Sequence, residues 1–357
     1  MDLFSPVSLG DLHLPNRVVM APLTRTRSGA SGVPGDLVIE HYAQRSSVGL
    51  IITEGTYPSH ESRAYPGQPG IVTDEQVAGW RRVAEAVHAQ GGRIVMQLMH
   101  SGRVSHTDIT GTDRIVAPSA IAIDGDTHTA TGKVAFPVPH ALTTDELALV
   151  RDEFVTAAKK AIDAGLDGVE VHGANGYLLH EFLSPESNQR EDAYGGSPEN
   201  RARFTVEVTT AIADAIGAAR VGIRLSPMHN IQGVVETDLA DVQATYDALI
   251  DGIAPLGLAY LSLLHHEPTG ALVQDLRTRF GGKFIANSGF GTVTSREEAI
   301  ALVATSDADA VAIGRLAIAN PDLVERWQGK HPVNEPNTAT FYGADSVGYT
   351  DYPRLRA

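Results

Sequence analysis

The sequence contains no cysteine, and several kinds of site are excluded with it. Disulfide bridges, thiolate zinc sites, iron–sulfur clusters, redox dithiols and cysteine nucleophiles all require that residue. A chain of 357 residues buries roughly three quarters of the surface that its unfolded form exposes. It therefore needs neither disulfides nor a structural metal ion for stability, and we expect no metal site.

Basic residues are few relative to acidic ones. The 28 lysines and arginines stand against 43 aspartates and glutamates, which gives a formal net charge of -15. This balance disfavours sequence-independent binding to nucleic acid or to an anionic membrane. No apolar run approaches the roughly 20 residues of a membrane span, and the first residues lack the pattern of a signal peptide. We expect a cytoplasmic monomer or homodimer whose partners are small molecules rather than nucleic acid or membranes.

Eight short apolar runs recur along the chain, each bounded by Gly, Pro or Asn. They lie at residues 17–24, 50–56, 93–100, 168–174, 221–227, 258–265, 283–289 and 310–316. Such runs are typical of strands covered on both faces. Between them lie amphipathic stretches with helix-start signals at Asp74, Thr144, Ser197 and Thr294. The alternation predicts an α/β fold, a (β/α)8 TIM barrel that forms a single domain over residues 1–357, with a doubly wound open sheet as the alternative.

Two segments do not fit the strand–helix repeat. Residues 5–16 predict a β-hairpin around Gly10 and Asp11 that precedes the first barrel strand and plugs the barrel bottom. Residues 101–142 form an insertion after the third strand that is rich in Thr, Asp, Pro and Gly. A loop of that length is more often functional than idle.

Barrel enzymes carry their reacting groups at the C-terminal ends of the strands. Hydrogen-bond donors dominate these positions here, whereas carboxylates are few. This composition disfavours metal-assisted hydrolysis and paired-carboxylate glycoside chemistry. The residues at these positions are Pro22, Leu23, Thr24, Glu54, Gly55, Gln97, His100, His172, Asn175, Tyr177, Arg224, His265, Ser288, Gly289, Gly314 and Arg315.

The seventh and eighth strand ends carry glycines that suit a phosphate site. In barrels these two loops commonly bind phosphate through backbone N–H groups. Gly289 and Gly314 would let the backbone approach the anion, and Arg315 would add a charge-assisted hydrogen bond. The alternative is that the glycines only form tight turns.

A phosphate site beside Thr24, Gly55, Gln97 and Arg224 suits a flavin. The pyrimidine edge of a flavin accepts hydrogen bonds, and its reduced form carries negative charge that a fixed guanidinium stabilises. Arg224 could supply that charge and Gln97 could bind the ring edge. Each of these residues taken singly could instead be structural.

The segment at residues 168–185 is the most informative in the chain. A neutral His172 and Asn175 just past a strand end can direct two N–H donors at one carbonyl oxygen, and such donors stabilise an enolate. Tyr177 can protonate the neighbouring carbon as a general acid. The alternative makes His172 a core histidine and Tyr177 the start of a packed helix.

These motifs occur in the order found in the Old Yellow Enzyme family, and the chain resembles its classical branch of FMN-dependent ene-reductases over the whole length. The matching segments are residues 21–27, 53–55, 97–98, 172–204, 224–227, 288–290, 314–323 and 340–353. The resemblance implies tightly bound, non-covalent FMN, NAD(P)H as reductant, and reduction of the C=C bond of α,β-unsaturated carbonyl or nitro compounds.

The resemblance also implies roles for individual residues. The isoalloxazine contacts would come from Ala21, Pro22, Leu23, Thr24, Gly55, Gln97, His172 and Arg224, and the phosphate contacts from Ser288, Gly289, Gly314 and Arg315. His172 and Asn175 would hold the activating group of the substrate, and Tyr177 would donate the proton. Tyr342 would line the substrate cavity.

The chain departs from the family pattern at two substrate positions. Met99 and Ile231 stand where some members carry an aromatic residue. Both changes would reshape the pocket, so the resemblance does not predict the substrate range. Thr24 stands where the other major branch commonly has cysteine. A nitrate-ester or nitroaromatic reductase on the same scaffold, a non-redox phosphate-binding lyase or isomerase, and a flavin-binding sensor are the alternatives.

Overall fold

Strands and helices alternate along most of the chain. The computed structural model describes residues 1–355. The strands are β1 (Val7–Leu9), β2 (Leu12–Leu14), β3 (Val18–Met20), β4 (Leu50–Ile52), β5 (Ile94–Leu98), β6 (Val116–Ala117), β7 (Asp126–Thr129), β8 (Gly132–Ala135), β9 (His140–Ala141), β10 (Gly168–Gly173), β11 (Val221–Leu225), β12 (Tyr260–Leu264), β13 (Phe284–Asn287) and β14 (Ala310–Ile313).

The α-helices differ widely in length. They are α1 (Asp36–Gln44), α2 (Asp74–Ala89), α3 (Thr107–Thr110), α4 (Thr144–Asp163), α5 (Leu178–Leu183), α6 (Pro198–Ile216), α7 (Leu239–Ile253), α8 (Ala271–Phe280), α9 (Arg296–Ala304), α10 (Arg315–Ala319) and α11 (Leu323–Gly329). Short 3-10 helices occupy His60–Ser62, Ala218–Arg220, Ala254–Leu256 and Thr338–Thr340. None of the helices described between residues 1 and 355 has the length and hydrophobicity needed to span a membrane.

Eight parallel strands close into a barrel. Their order around the barrel is β3, β4, β5, β10, β11, β12, β13 and β14, and β14 pairs back onto β3. Each of the eight predicted apolar runs contains one of these strands. The predicted (β/α)8 barrel is therefore confirmed, and the open sheet is excluded because no strand of the eight is left at an edge.

Side chains alternate between the two faces of each barrel strand. On β10, Val169 and Val171 pack outward into the core shared with the helices, while Glu170 and His172 point into the barrel. Both faces are buried, which explains why the runs are nearly continuous in apolar character. The same alternation decides which polar residues reach the functional end of the barrel.

The N-terminal hairpin closes the bottom of the barrel, as predicted. Strands β1 and β2 pair antiparallel across Gly10 and Asp11, and their four leucine and valine side chains pack with interior residues of the barrel such as Val19 and Val95. The N–H of Asp11 donates to the carbonyl oxygen of Ala219 at 3.0 Å, just before β11 begins. The hairpin thus seals the end opposite to the C-terminal strand ends.

The insertion after the third barrel strand forms small elements of its own. Residues 101–142 contain α3, a parallel pair of β6 with β9, and an antiparallel hairpin of β7 with β8. The predicted insertion therefore has a defined structure. It is not one continuous loop.

The helix starts were located only to within one residue. The structure has N-caps at Thr73, Thr143, Ser197 and Ser295, so the predicted signal at Ser197 is right and those at Asp74, Thr144 and Thr294 are wrong by one position. The Thr73 side chain accepts the N–H of Gln76, and Gln76 bonds back to the backbone of Thr73. Adjacent Thr, Ser and Asp residues all cap well, and at Thr73 and Thr143 the reciprocal bonding of a capping box distinguishes the cap from its neighbour.

Candidate active site

Strand alternation brings polar side chains into the upper end of the barrel. Gln97 of β5, His172 of β10, Arg224 of β11 and Asn287 of β13 all point inward and are almost fully buried. The lower interior is mainly apolar and packs on the hairpin. Hydrogen-bonding capacity is therefore concentrated at the C-terminal end of the barrel.

A cavity of about 820 Å³ opens at this end of the barrel. Its volume lies in the range of roughly 300–1,000 Å³ that is typical of ligand sites. Of the sequence-predicted residues, Ser288 and the strand-end residues Glu54, His100 and His265 do not line it. Those that do are Ala21, Pro22, Leu23, Thr24, Gly55, Gln97, Met99, His172, Asn175, Tyr177, Arg224, Ile231, Gly289, Gly314, Arg315 and Tyr342. The structure thus brings one set of distant residues to one cavity.

The side chain of Ser288 is engaged away from the cavity. Its hydroxyl donates to the carboxylate of Glu298 and accepts from the hydroxyl of Thr294 at 3.3 Å. The next residue, Gly289, lines the cavity with a φ of 95°, a left-handed conformation that favours glycine. Backbone groups are therefore the part of this loop that a ligand can approach.

Gly314 and Arg315 form the neighbouring part of the same wall. A Cβ atom added at Gly314 would meet only the side chain of Leu23, at 3.6 Å. Arg315 donates from Nη2 to the carbonyl oxygen of Phe290 at 2.9 Å, which leaves its other N–H groups available. This end of the cavity therefore combines an accessible backbone with a positive charge.

His172, Asn175 and Tyr177 meet at the loop between β10 and α5. The rings of His172 and Tyr177 lie 5.3 Å apart, centroid to centroid. Asn175 adopts a φ of 60°, and its backbone N–H donates to the Ser226 hydroxyl at 2.8 Å. This unusual backbone conformation turns the loop so that all three side chains line one cavity.

Two further residues hold this loop in place. Gln232 donates from Nε2 to the carbonyl oxygen of Asn175 at 2.7 Å, and the N–H of Gly176 donates to Nδ1 of His180 at 3.0 Å. His180 is fully buried on α5. Neither residue was predicted from the sequence, although His180 lies inside the segment at residues 168–185.

Tyr65 is the most consequential residue that the sequence analysis missed. Its hydroxyl lies 2.7 Å from the hydroxyl of Tyr177, and both residues line the cavity. Tyr65 belongs to an irregular segment after β4, with no motif or strand end to mark it. The neighbouring Pro66 is exposed, so this pair of tyrosines lies near bulk solvent.

Burial sets the protonation states of the three loop residues. It lowers the pKa of His172 well below its ordinary value, and the positive charge of Arg224 lowers it further. The ring is therefore neutral at physiological pH. Burial raises the pKa of Tyr177, while the hydrogen bond from Tyr65 opposes that rise. Tyr177 is thus a protonated phenol. When it gives up its proton, the Tyr65 hydroxyl can donate a hydrogen bond to the phenolate.

Arg224 and Gln97 are fixed by partners inside the barrel. Arg224 donates from Nη2 to Oδ1 of Asn287 at 2.9 Å, and Gln97 donates from Nε2 to Oε1 of Glu170 at 2.8 Å. Burial lowers the pKa of Arg224 from a very high value, and Glu170 opposes that change, so the guanidinium stays charged. Both side chains are held rigidly against the cavity.

Several buried polar atoms of the cavity wall lack a protein partner. Nδ1 of His172, Oδ1 of Asn175 and Nε of Arg224 have no hydrogen-bond partner within the part of the chain that the structure describes. Buried polar groups are normally satisfied. Unsatisfied groups gathered around one cavity are typical of a site that binds a polar ligand.

A buried carboxylate orders the segment that carries Thr24. Oε2 of Glu54 accepts the backbone N–H groups of Arg25 and Thr26 at 2.9 and 3.0 Å. Arg25 in turn donates from Nε to the carbonyl oxygen of Phe341 at 2.9 Å. The adjacent Tyr342 is 67% exposed and lies at the cavity mouth. The C-terminal segment therefore forms part of the roof.

The two positions that depart from the family pattern both line the cavity. The sulfur of Met99 packs so closely on Gly55 that a Cβ atom there would lie 2.5 Å from it. Ile231 lies on the loop that also carries Gln232. His128 and Thr129 from the β7–β8 hairpin reach the same cavity. The insertion thus contributes to the wall, as its length suggested.

Comparison with known proteins identifies the family. The family described as NADH:flavin oxidoreductase / NADH oxidase matches residues 2–334. A relative from Leishmania infantum, named probable flavin mononucleotide-dependent alkene reductase, is 40% identical and aligns over 98% of this chain and 97% of its own. Rice 12-oxophytodienoate reductase 1 is 40% identical, with 99% and 93% covered.

Solved structures give the same result. Morphinone reductase in complex with tetrahydroNAD is 44% identical with a TM-score of 0.92, covering 99% of this chain and 98% of that one. The Old Yellow Enzyme homologue from Zymomonas mobilis is 38% identical with a TM-score of 0.94, covering 99% and 100%. The resemblance stated from the motifs is therefore confirmed, and the chain is an oxidoreductase that belongs to the NADH:flavin oxidoreductase / NADH oxidase family, the family of Old Yellow Enzyme.

Proposed function

We propose that this protein is an NAD(P)H-dependent FMN ene-reductase that reduces the C=C bond of α,β-unsaturated carbonyl or nitro compounds. One observation carries the proposal. A single cavity combines a neutral histidine, an asparagine and a buried tyrosine bonded to a half-buried one with a fixed arginine, a glutamine and an accessible glycine backbone. The named alkene reductase among the relatives supports it.

The cavity fits FMN in its chemistry. Arg224 would supply the positive charge that a reduced flavin requires, and Gln97 would bind its pyrimidine edge. Ala21, Pro22, Leu23, Thr24, Gly55 and His172 would contact the rest of the ring. Gly289, Gly314 and Arg315 would hold the phosphate, with Ser288 contributing through its backbone. The unsatisfied Nε of Arg224 supports this fit.

When bound, FMN would supply two-electron hydride chemistry between a reduced nicotinamide and the β-carbon of an alkene. His172 and Asn175 would bind the carbonyl or nitro oxygen of the substrate through N–H donors. Because His172 is neutral, it can offer one N–H without bringing a second positive charge. Such preorganised donors stabilise the negative charge that grows on that oxygen.

Tyr177 would then protonate the α-carbon. Its O–H bond breaks as the new C–H bond forms, and the enolate collapses to the saturated carbonyl compound. The phenolate left behind would regain a proton from Tyr65 across the 2.7 Å contact. Tyr65 would take its own proton from solvent near the exposed Pro66.

An anaerobic spectroscopic titration tests the proposed function. The purified protein should show flavin absorption, lose it on addition of NADH or NADPH, and recover it on addition of a simple enone. A nitrate ester in a parallel cuvette would separate alkene reduction from reductive denitration. A colourless protein that takes up no FMN on reconstitution would favour a non-redox barrel instead, and a flavin that no enone reoxidises would favour a sensor.

Tyr65→Phe should slow alkene reduction about 10- to 100-fold. A hydrogen bond to a charged group contributes roughly 1.5–3 kcal/mol, and this variant removes the donor that stabilises the Tyr177 phenolate. Stopped-flow reoxidation of the reduced protein by an enone measures the effect. Tyr194→Phe is the control, since its hydroxyl bonds Glu207 outside the cavity. Equal reoxidation rates for Tyr65→Phe and the wild type would remove Tyr65 from the mechanism.

The cavity wall also contains residues that would contact the substrate. Met99, Ile231 and Tyr342 would shape the substrate part of the cavity.

We also infer a single FMN-binding barrel domain over residues 1–357, of which the structure describes all but the last two residues. We further infer a cytoplasmic location and a monomer or homodimer. Size-exclusion chromatography with light scattering tests the last of these.

A further inference from the structure

A buried carboxylate lies beneath the proposed flavin site, and the mechanism above gives it no role. Glu170 is fully buried on β10 and points into the barrel two residues before His172. It is not part of the cavity wall. An ionisable group in such a position is costly to bury unless its surroundings compensate its charge. Its partners therefore define what it can do.

Groups from three neighbouring strands, β5, β11 and β12, lie against Glu170. On β5, Gln97 stands directly opposite Glu170 in the strand register and donates to its Oε1 at 2.8 Å. On β11 the opposite residue is Gly222, where a Cβ atom would lie 2.2 Å from the ring of Tyr260. The missing side chain thus lets the Tyr260 ring cross toward the carboxylate.

Glu170 is only partly satisfied as a hydrogen-bond acceptor. The Tyr260 hydroxyl approaches its carboxyl group, yet neither that hydroxyl nor Oε2 of Glu170 completes a hydrogen bond of good geometry with any described residue. Arg224 lies on the same inward face of β11, two residues beyond the Gly222 that stands opposite Glu170, and its positive charge acts on the carboxylate through space. Burial raises the pKa of Glu170, and Arg224, Gln97 and Tyr260 all oppose that rise. These partners favour the ionised carboxylate.

We propose that Glu170 is a positioning residue that fixes the amide of Gln97 and partly neutralises Arg224, and that it thereby sets the affinity and the reduction potential of the bound flavin. The inference rests on the proposed function, because it requires that FMN binds in the cavity. Glu170 lies behind the cavity wall and would act on the flavin through Gln97 and Arg224, which line the cavity.

The first consequence concerns the orientation of Gln97. An ionised carboxylate only accepts hydrogen bonds, so it holds Nε2 of Gln97 toward the barrel interior. The amide carbonyl oxygen and the second N–H of Gln97 then remain for the cavity. This donor and acceptor pair matches the alternating groups on the pyrimidine edge of a flavin. Without Glu170 the amide could turn over and present the wrong atoms.

The second consequence concerns charge. The positive charge of Arg224 favours the reduced flavin because that form is anionic, whereas the negative charge of Glu170 works against this preference at a slightly greater depth. The difference between the two charges determines how much more tightly reduced than oxidised FMN binds. Removing the negative charge should therefore raise the reduction potential of the bound flavin.

Glu170→Gln tests both consequences because it keeps the shape of the side chain and removes its charge. We expect oxidised FMN to bind the apoprotein about tenfold more weakly, measured by flavin fluorescence, because Gln97 loses its fixed orientation. We also expect the ratio of reduced to oxidised affinity to rise about tenfold, which is about 30 mV for a two-electron couple. A spectroscopic redox titration against a reference dye measures this shift.

Glu170→Asp separates the two effects. The shorter carboxylate keeps the charge but withdraws from Gln97, so oxidised FMN should bind more weakly while the potential stays near that of the wild type. Glu236→Gln is the matched control, since Glu236 is also a buried carboxylate and its partners are Met228, His180 and Tyr246. Its potential should equal that of the wild type.

The outcomes are decisive in both directions. If Glu170→Gln leaves the potential and the FMN affinity unchanged, or if Glu236→Gln shifts the potential equally, the role of Glu170 is wrong. If the Gln variant does not fold, a Glu170→Asp protein with unchanged FMN affinity overturns the proposal as well. A wild-type protein that binds no FMN would contradict the proposed function instead.

Discussion

Tyr177→Phe is expected to slow alkene reduction by roughly 10²- to 10⁴-fold, the usual contribution of a positioned general acid. The variant removes the only proton that the buried phenol can give and keeps the ring that packs at 5.3 Å from His172. Flavin reduction by NAD(P)H should remain nearly unchanged, because that step needs no proton from Tyr177. The variant should therefore slow the oxidative half-reaction and leave the reductive half-reaction nearly unchanged.

Stopped-flow measurement of each half-reaction tests this expectation. The protein is first reduced anaerobically with NADH or NADPH and then mixed with an enone, and the return of flavin absorption is followed. Tyr194→Phe again serves as the control for loss of a tyrosine hydroxyl. A Tyr177→Phe protein that is reoxidised by the enone at the wild-type rate would show that the proton comes from elsewhere.

His172→Leu should lower the rate of alkene reduction by roughly 10²- to 10³-fold, the cost of removing one preorganised donor to a developing oxyanion. His172→Asn retains an N–H group and should recover part of that loss. Comparison of substrate affinity and maximal reoxidation rate for both variants measures the effect. If His172→Leu and His172→Asn behave alike, the N–H group is not what His172 contributes.

The pH dependence of the oxidative half-reaction tests the protonation state of His172. Burial and Arg224 lower its pKa well below the ordinary histidine value, so the ring is already neutral at pH 6 and loses no proton as the pH rises to 8. The oxidative half-reaction should therefore show no inflection from His172 near pH 6.5, where an exposed histidine titrates. An inflection there that disappears in His172→Asn would mean that the ring is protonated.

Most of the fold could be predicted because each barrel strand is buried on both faces. The Val-Glu-Val-His pattern of β10 illustrates both the strength and the limit of that signal. Its valines identified a buried strand, and His172 was identified because it lies at the strand end. Glu170 was not predicted because it lies inside the strand, where its partners depend on the register of β10 with β5 and β11.

The residues of the candidate site also fall into two groups, those that a local motif predicts and those that only long-range contacts bring together. Residues in contiguous motifs were predicted and line the cavity. Tyr65 and Gln232 were missed because each reaches the site through a contact with a residue far away in the sequence, and no local periodicity encodes such a contact. Ser288 is the converse case, because it adjoins the cavity-lining Gly289 in the chain while its own hydroxyl bonds Glu298.

Closure of the barrel has a consequence for how the chain folds during synthesis. The first barrel strand, β3, completes its hydrogen bonding only with β14, which the ribosome produces almost 300 residues later. At about 5–20 residues per second, one edge of β3 stays unpaired for roughly 15–60 s. An unpaired apolar strand edge invites association with other chains. Slower synthesis of the last strand should therefore lower the yield of folded protein, because it prolongs the exposure of this edge.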